Sequence, residues 1–311
     1  MKVLKYIFQF ILAAIVLASI LPHLFPDFWL TDIFSHFKLQ YVIILVLILL
    51  PYALVSVRRK LLPVILIIII IIWNASFIVP LYIQNRTITE NSGSSLSILS
   101  MNLLASNTNY SEALELIREK DPDIIILLEL SPQWNLEIEK LYTSYPFQLM
   151  HPQTNNFGIG ILSRIPLMAK VSNLGKGFPP SIFGKLQVNG HPLSLLATHP
   201  VPPVSQEKFK FRNMQLEEIS RLSNAQTGNF ILVGDLNTSS FSSHFQNLIK
   251  KGDLKDSRNG WGIATSWPSD LFILRTTLDH ILYKGEMQVI TRTTEKNIGS
   301  DHLPVYMQIG F

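Results

Sequence analysis

The chain has 311 residues, 48% hydrophobic and 15% charged, too apolar for a disordered or wholly solvated polypeptide and long enough for more than one structural unit. It has no cysteine, which excludes a disulfide scaffold, a zinc–thiolate site and an iron–sulfur cluster. The net charge of +4 sits in the first quarter: residues 1–86 hold seven Lys and Arg against Asp27 and Asp32, leaving nineteen basic and twenty acidic residues for the remainder, which excludes a broad cationic face for duplex phosphates there.

Three apolar runs fill the first quarter, at residues 6–21, 41–57 and 61–82. A hydrocarbon core takes about 20 apolar residues in a helix. The third run meets this without a charge; the first two lie near the lower limit of about 17 residues. The first reads as a span rather than a cleaved signal peptide, because Leu21, Pro22, His23, Leu24 and Phe25 run on apolar where a polar mature start would be needed. Lys2, Lys5, Arg58, Arg59 and Lys60 flank one side of the spans, and Lys38 and Arg86 the other. The positive-inside bias then puts the N-terminus in the cytoplasm and everything after Tyr82 outside it. Trp29 and Tyr41 suit interfacial anchors or ordinary packing equally. The expectation is a multi-pass protein of the cell membrane: residues 1–84 form an all-α transmembrane anchor in contact with the lipid bilayer, the polar stretch 85–95 is a linker, and 96–311 is an extracytoplasmic domain.

In that domain, strands are predicted at 96–101, 123–128, 158–162, 181–188, 192–198, 229–233, 277–283, 288–293 and 304–309, with helices at 110–120, 132–142 and 206–222. Strands outnumber helices and the order is not a strict βαβ alternation. The pattern predicts a four-layer α/β sandwich, two packed β-sheets flanked by helices.

Polar residues recur where these strands end. Asn102 follows the first, Glu129 the second and His199 the fifth; Asp235 and Asn237 follow the sixth; Asp279 and His280 interrupt an apolar run; Asp301 and His302 precede the last strand. Singly, each has a plain explanation as a turn residue or helix cap. Together they are harder to dismiss, and Asp279 within Leu-Asp-His-Ile-Leu needs a partner, since a lone buried carboxylate costs several kcal/mol. Carboxylate and amide oxygens without cysteine suit a hard cation, magnesium or else manganese, which keeps water for a phosphate-bearing substrate. Cleaving a phosphoester takes an aligned water, a proton acceptor and donors for the charge on phosphorus, and Asp, Asn and His supply all three.

Met-Asn-Leu-Leu (101–104), Leu-Leu-Glu-Leu (127–130), Gly-Ile-Gly-Ile-Leu-Ser-Arg (158–164), Thr-His-Pro (198–200), Gly-Asp-Leu-Asn (234–237), Leu-Asp-His-Ile-Leu (278–282) and Ser-Asp-His-Leu-Pro (300–304) resemble the endonuclease/exonuclease/phosphatase superfamily, in its order and over nearly all of 96–311. The spans lie outside the resemblance, although membrane-anchored bacterial members have a similar layout. The resemblance implies that Glu129 is the principal magnesium ligand with Asn102 and Asp301 in or next to its shell. It implies that Asp235 orients or deprotonates the attacking water, that Asn237 and His199 hydrogen-bond phosphate oxygens, and that His302, held by Asp279, contacts the scissile phosphate or acts as base. The last pairing has its own rationale, because a carboxylate fixes its histidine's tautomer and raises its basicity. Two positions depart from the family pattern: Leu128 stands where Gln often precedes the metal-binding Glu, and Leu236 replaces a common Phe.

Arg164 reads as a substrate contact or as a structural salt bridge. Trp267, in a loop with Trp261 and Pro268, reads as a wall for a base or lipid headgroup or as filling for the sandwich edge. The expected function is membrane-anchored, divalent-metal-dependent hydrolysis of a phosphoester in nucleic acid or a lipid headgroup. The alternative is a catalytically silent binding or scaffold protein on the same fold.

Overall fold

A computed structural model describes residues 2–56, 61–83 and 94–311. The chain opens with four helices, α1 (Lys2–Leu24), α2 (Trp29–Phe34), α3 (Lys38–Ser56) and α4 (Leu61–Ile78), the last continued by a 3₁₀ turn at Val79–Tyr82. Among the described residues, two stretches are long and apolar enough to cross a membrane, Trp29–Leu49 and Leu61–Tyr82, and a shorter apolar helical stretch spans Gln9–Leu24. Most residues of the Leu61–Tyr82 stretch are exposed or half-buried, so its apolar surface mostly faces outward, unlike that of a core helix in a globule. Polar groups join the helices: Asn74 Nδ2 donates to Ser19 Oγ at 3.0 Å, and Lys38, counted above among the outer flanking charges, turns inward and donates to the Ser19 carbonyl at 3.0 Å. Arg58, Arg59, Lys60 and Arg86, and all but the last two residues of the expected 85–95 linker, lie outside the described residues.

The second part runs β1 (Ser95–Asn102), α5 (Tyr110–Lys120), β2 (Ile124–Leu128), α6 (Pro132–Ile138), β3 (Phe147–His151), β4 (Ile159–Ser163), β5 (Leu167–Ser172), β6 (Ser181–Val188), β7 (His191–Thr198), α7 (Gln206–Ala225), β8 (Asn229–Asp235), α8 (Ser243–Gly252), β9 (Lys255–Asp256), β10 (Asp279–Lys284), β11 (Gln288–Thr294) and β12 (Val305–Gly310). Two six-stranded sheets form, in the orders β11-β12-β1-β2-β4-β3 and β5-β6-β7-β8-β10-β9. Every strand and helix expected from the sequence is present within a few residues. The pattern missed β3, β5, the two-residue β9 and α8.

Side-chain alternation builds the four layers. Ile98, Ile124 and Ile126 of one sheet meet Leu195, Ile231 and Val233 of the other in the central core. Their neighbours Leu99, Ile125 and Leu127 point the opposite way, onto Ala113, Leu116 and Ile117 of α5 and Trp134 of α6. On the far side Leu196, Phe230 and Leu232 receive Leu216 and Ile219 of α7 and Phe245 and Leu248 of α8. A strand buried on both faces reads as an unbroken apolar run, which is why Ile124–Leu128 shows no alternation.

Each sheet has one parallel pair at its centre, β1 with β2 and β7 with β8. The C-terminal ends of all four strands therefore open at one edge of the sandwich. Antiparallel β10 begins there too, because Asp279 pairs in register with Asp235.

Candidate active site

That edge gathers the polar residues. Asn102 ends β1 in register with Leu128, so Glu129 is the next residue on the neighbouring strand. Asn102 Nδ2 lies 3.3 Å from Glu129 Oε1 and 3.3 Å from Asp235 Oδ2, which joins the two sheets. Asp235 Oδ2 is 3.4 Å from His199 Nε2 and 3.5 Å from His302 Nε2. His302 Nδ1 is 2.8 Å from Asp279 Oδ2. Asn102, Glu129, His199, Asp235, Asn237, Asp279 and His302 are all buried.

Local backbone geometry aims these groups. Glu129 (φ +55°) and Asn237 (φ +50°) sit in the left-handed region, a conformation side-chain-bearing residues adopt at a cost, usually where surrounding structure holds a functional group in place. The Asn237 N–H donates to Asp235 Oδ1 at 2.9 Å and its Nδ2 to the Pro200 carbonyl at 2.9 Å, so the turn after β8 is locked to the turn after β7. Gly234 explains the glycine of Gly-Asp-Leu-Asn: with φ +153°, any Cβ there would stand 1.9 Å from the Thr198 carbonyl oxygen. Ser266 Oγ accepts the N–H groups of Leu278 and Asp279, each at 3.2 Å, and holds the start of β10.

The electrostatics follow from this crowding. Burial pulls the His302 imidazole down, but the Asp279 and Asp235 carboxylates more than reverse this and push it up to about 10. Burial likewise lowers His199, and Asp235 raises it by hydrogen bond and charge to a net increase. Burial would raise the Asp235 carboxyl; His302, His199 and the Asn237 N–H outweigh it and hold the group below the ordinary carboxylate range. His302 thus keeps its proton at neutral pH, and Asp235 stays ionised between two imidazoles. His280, next to Asp279, is separate: its Nε2 meets the Thr238 carbonyl at 2.9 Å, and burial beside Arg258 pushes it down to about 3.

Two donor sets can be weighed for a hard cation. Asp235, Asp279 and His302 each place one ligand atom within 4.8 Å of the others. A protonated imidazole has no free ring lone pair, however, and its proton already binds Asp279, so this group is an ion network. Glu129, Asn102 and Asp301 are better suited. The Asn102 amide hydrogens point at two carboxylates, where a cation's charge would be welcome, while its Oδ1 accepts the Leu104 N–H at 3.1 Å. Asp301 Oδ1 is buried without a hydrogen-bond partner among the described residues, while its Oδ2 accepts from Trp267 Nε1 at 3.2 Å. The residues present therefore fit a divalent cation.

Trp267 is at the site, its ring centroid 6.4 Å from that of His302. Arg164 is not. Ser163 pairs with Ile124 at the start of β2, whereas Glu129 follows Leu128 at its end, so about 16 Å of strand separates Arg164 from the site. Its guanidinium pairs with Asp121 and stacks 4.8 Å over the Tyr145 ring, the structural salt bridge of the two readings. Sequence reasoning missed Asp32. This buried residue of α2 lies 3.1 Å from Arg212 and accepts from Ser242 Oγ at 2.5 Å, while Arg212 Nη1 donates to the Asn237 carbonyl at 2.7 Å. A carboxylate between two apolar runs was its only signal.

Two packed mixed sheets flanked by helices, with carboxylates, amides and imidazoles along one shared edge, define an α/β sandwich of the phosphoester-hydrolase type. Residues 73–302 match the Endonuclease/Exonuclease/phosphatase family, and the chain belongs to that family, whose members are phosphoester hydrolases. It is similar to D. rerio TDP2 complexed with single strand DNA product, at 16% identity and TM-score 0.59 over 70% of this chain and 99% of that one. It is also similar to the human Nocturnin catalytic domain with bound sulfate anion, at 20% identity and TM-score 0.56 over 70% and 94%. An endonuclease/exonuclease/phosphatase from Beutenbergia cavernae gives 18% identity and TM-score 0.56 over 70% and 72%. At these identities the likeness shows the fold. No curated protein matches the chain.

Proposed function

We propose that the protein is a membrane-anchored, divalent-metal-dependent hydrolase that cleaves a phosphoester by in-line attack of water. The observation that carries this reading is the contact chain Glu129–Asn102–Asp235–His302–Asp279, which brings five strand ends to one point. Glu129, with Asn102 against it and Asp301 contributed from the His302 side of the site, would hold the cation, whose chemistry there is withdrawal of charge from a phosphoryl oxygen. Asp235 aligns the attacking water and accepts its proton as phosphorus gains negative charge. His302 already carries a proton and is held by Asp279 against turning, so it donates to the phosphate rather than acting as the base. His199 and Asn237 add donors from the second sheet. The TDP2 complex with single strand DNA product supports phosphoester chemistry on this fold.

The anchor is read as three spans with the catalytic part outside the cytoplasm. Among the described residues Trp29–Leu49 and Leu61–Tyr82 have the apolar length, and the shorter apolar helix Gln9–Leu24 with the flanking charges of the sequence supports the third span and the orientation. The hydrolytic reading is tested with the full chain in detergent micelles, magnesium and bis(p-nitrophenyl) phosphate. Steady release of nitrophenol that stops on chelation is expected, and no release with any divalent ion refutes the reading. For topology, a reporter joined after Phe311 should be active only outside the cytoplasm.

A further inference from the structure

The loop over residues 266–276 has its neck at the candidate site and its tip beside the apolar helices. At the neck, Trp267 and Thr276 form a β-bridge, Ser266 holds Asp279, and Trp267 reaches Asp301. At the tip, Phe272–Leu274 forms a turn of 3₁₀ helix, and Leu271, Phe272, Ile273 and Leu274 are all exposed, Phe272 by 77% and Ile273 by 74%. Four consecutive exposed apolar residues on a freely solvated domain are an aggregation liability, so their exposure calls for an apolar partner.

The position of the tip identifies that partner. Gln40, in the first turn of α3, donates from Nε2 to the carbonyls of Ile273 at 3.1 Å and Arg275 at 3.2 Å. Thr276 Oγ1 donates to the His36 carbonyl at 3.2 Å. Further along α3, Ile43, Ile44, Val46 and Leu47 are exposed in turn. The apolar tip is therefore tied to the place where an outward-facing apolar helix begins.

Resting on the membrane-anchored hydrolase reading, we infer that residues 271–274 are seated in the lipid surface crossed by α3 and α4, and that the substrate is a phosphoester carried by an amphiphile of that surface. Nucleic acid fits the same place less well, because it needs a cationic track. Beside the tip, the Arg275 guanidinium is committed to the carbonyls of Pro268 and Ser269, and residues 87–311 carry no net excess of basic side chains. In the reaction the water oxygen bonds to phosphorus while the bond to the leaving alkoxide breaks. One water proton passes to Asp235, the other stays on the new phosphate oxygen, and the alkoxide takes a proton from solvent, to which Asp235 later returns its own, and departs as an alcohol. One product remains in the lipid phase, and Trp267 offers the apolar part of the substrate a flat wall next to His302.

The full chain in vesicles of phosphatidylethanolamine and phosphatidylglycerol tests this twice. Because the protein has no cysteine, Phe272→Cys carries a single nitroxide. The label should be accessible to oxygen and shielded from a water-soluble nickel chelate, like one at Leu66→Cys in α4; behaviour like that of Leu136→Cys, on the exposed surface of α6, overturns the seating. In the second test, Phe272→Ser combined with Ile273→Ser should slow hydrolysis of vesicle phospholipid on the order of tenfold, with bis(p-nitrophenyl) phosphate turnover kept within about twofold. Equal loss on both substrates overturns the inference. Cleavage of the chromogenic ester and a single-stranded oligonucleotide but no phospholipid overturns the substrate class and leaves the hydrolase reading standing, whereas no cleavage of anything removes both.

Discussion

Asp32 and Arg212 form a buried ion pair at 3.1 Å across 180 residues, joining the segment between two apolar helices to the helix that follows β7. Burial pulls the Arg212 guanidinium down and Asp32 offsets this, so the two charges depend on each other. Arg212 in turn braces the Asn237 carbonyl, which makes the helical part a support of the catalytic turn. Removing one partner of such a pair leaves an uncompensated charge, and Asp32→Ala should destabilise the protein by about 3–5 kcal/mol. Unfolding in detergent micelles measures it, and Asp32→Leu with Arg212→Met should recover much of the loss. A near-wild-type Asp32→Ala protein contradicts the account.

His302 and Asp279 act as one unit over 2.8 Å. His302→Ala should lower turnover of bis(p-nitrophenyl) phosphate by about 10²–10⁴-fold, the range for loss of a positioned proton donor. Asp279→Asn preserves the shape but removes the charge that keeps the imidazole protonated, so its rate should fall and its pH profile should shift to lower pH. A profile unchanged from wild type argues against the pairing.

Stability should show the same charges in chelator-treated protein. The folded-state value of His302 is raised to about 10 from 6.5, so its contribution is fully present below pH about 6.5 and is lost as pH rises toward about 10. Asp235 is depressed and contributes with the opposite sign, its stabilisation being lost as pH falls through the acid range. Denaturant midpoints across pH 6–10 should decline for wild type and flatten for His302→Ala; parallel curves contradict the assignment.

Gly234→Ala places a Cβ where the Thr198 carbonyl oxygen lies. The backbone of β7 cannot yield as a flexible side chain would, so a loss of about 3 kcal/mol or more is expected, together with displacement of Asp235 and Asn237. Full stability and activity in this variant would show that the turn adjusts more freely than its geometry implies.

Much of the fold was legible because the apolar pattern is written at the right period. The unbroken Ile124–Leu128 run, the 3.6-residue spacing of α5 and the strand-end positions of Asn102, Glu129, His199 and Asp235 all follow from chemistry local to each segment. β3 and β5 were missed because as outer strands their side chains are only partly buried or exposed, which leaves no clean apolar alternation. Arg164 shows a second limit. Substrate contact and structural bridge look identical in sequence, and the β2–β4 register, a long-range property, separates them. Asp32 shows the third, since nothing near it in the chain announces an arginine 180 residues away.

The most direct test of the site uses the full chain, magnesium and bis(p-nitrophenyl) phosphate in ¹⁸O-labelled water, with wild type and Asp235→Asn compared. If Asp235 aligns water against phosphorus, wild type incorporates one ¹⁸O per turnover into the phosphate-bearing product and none into nitrophenol, and the variant loses about 10²-fold or more of that rate. Label in the nitrophenol, or a variant as fast as wild type, would contradict the mechanism.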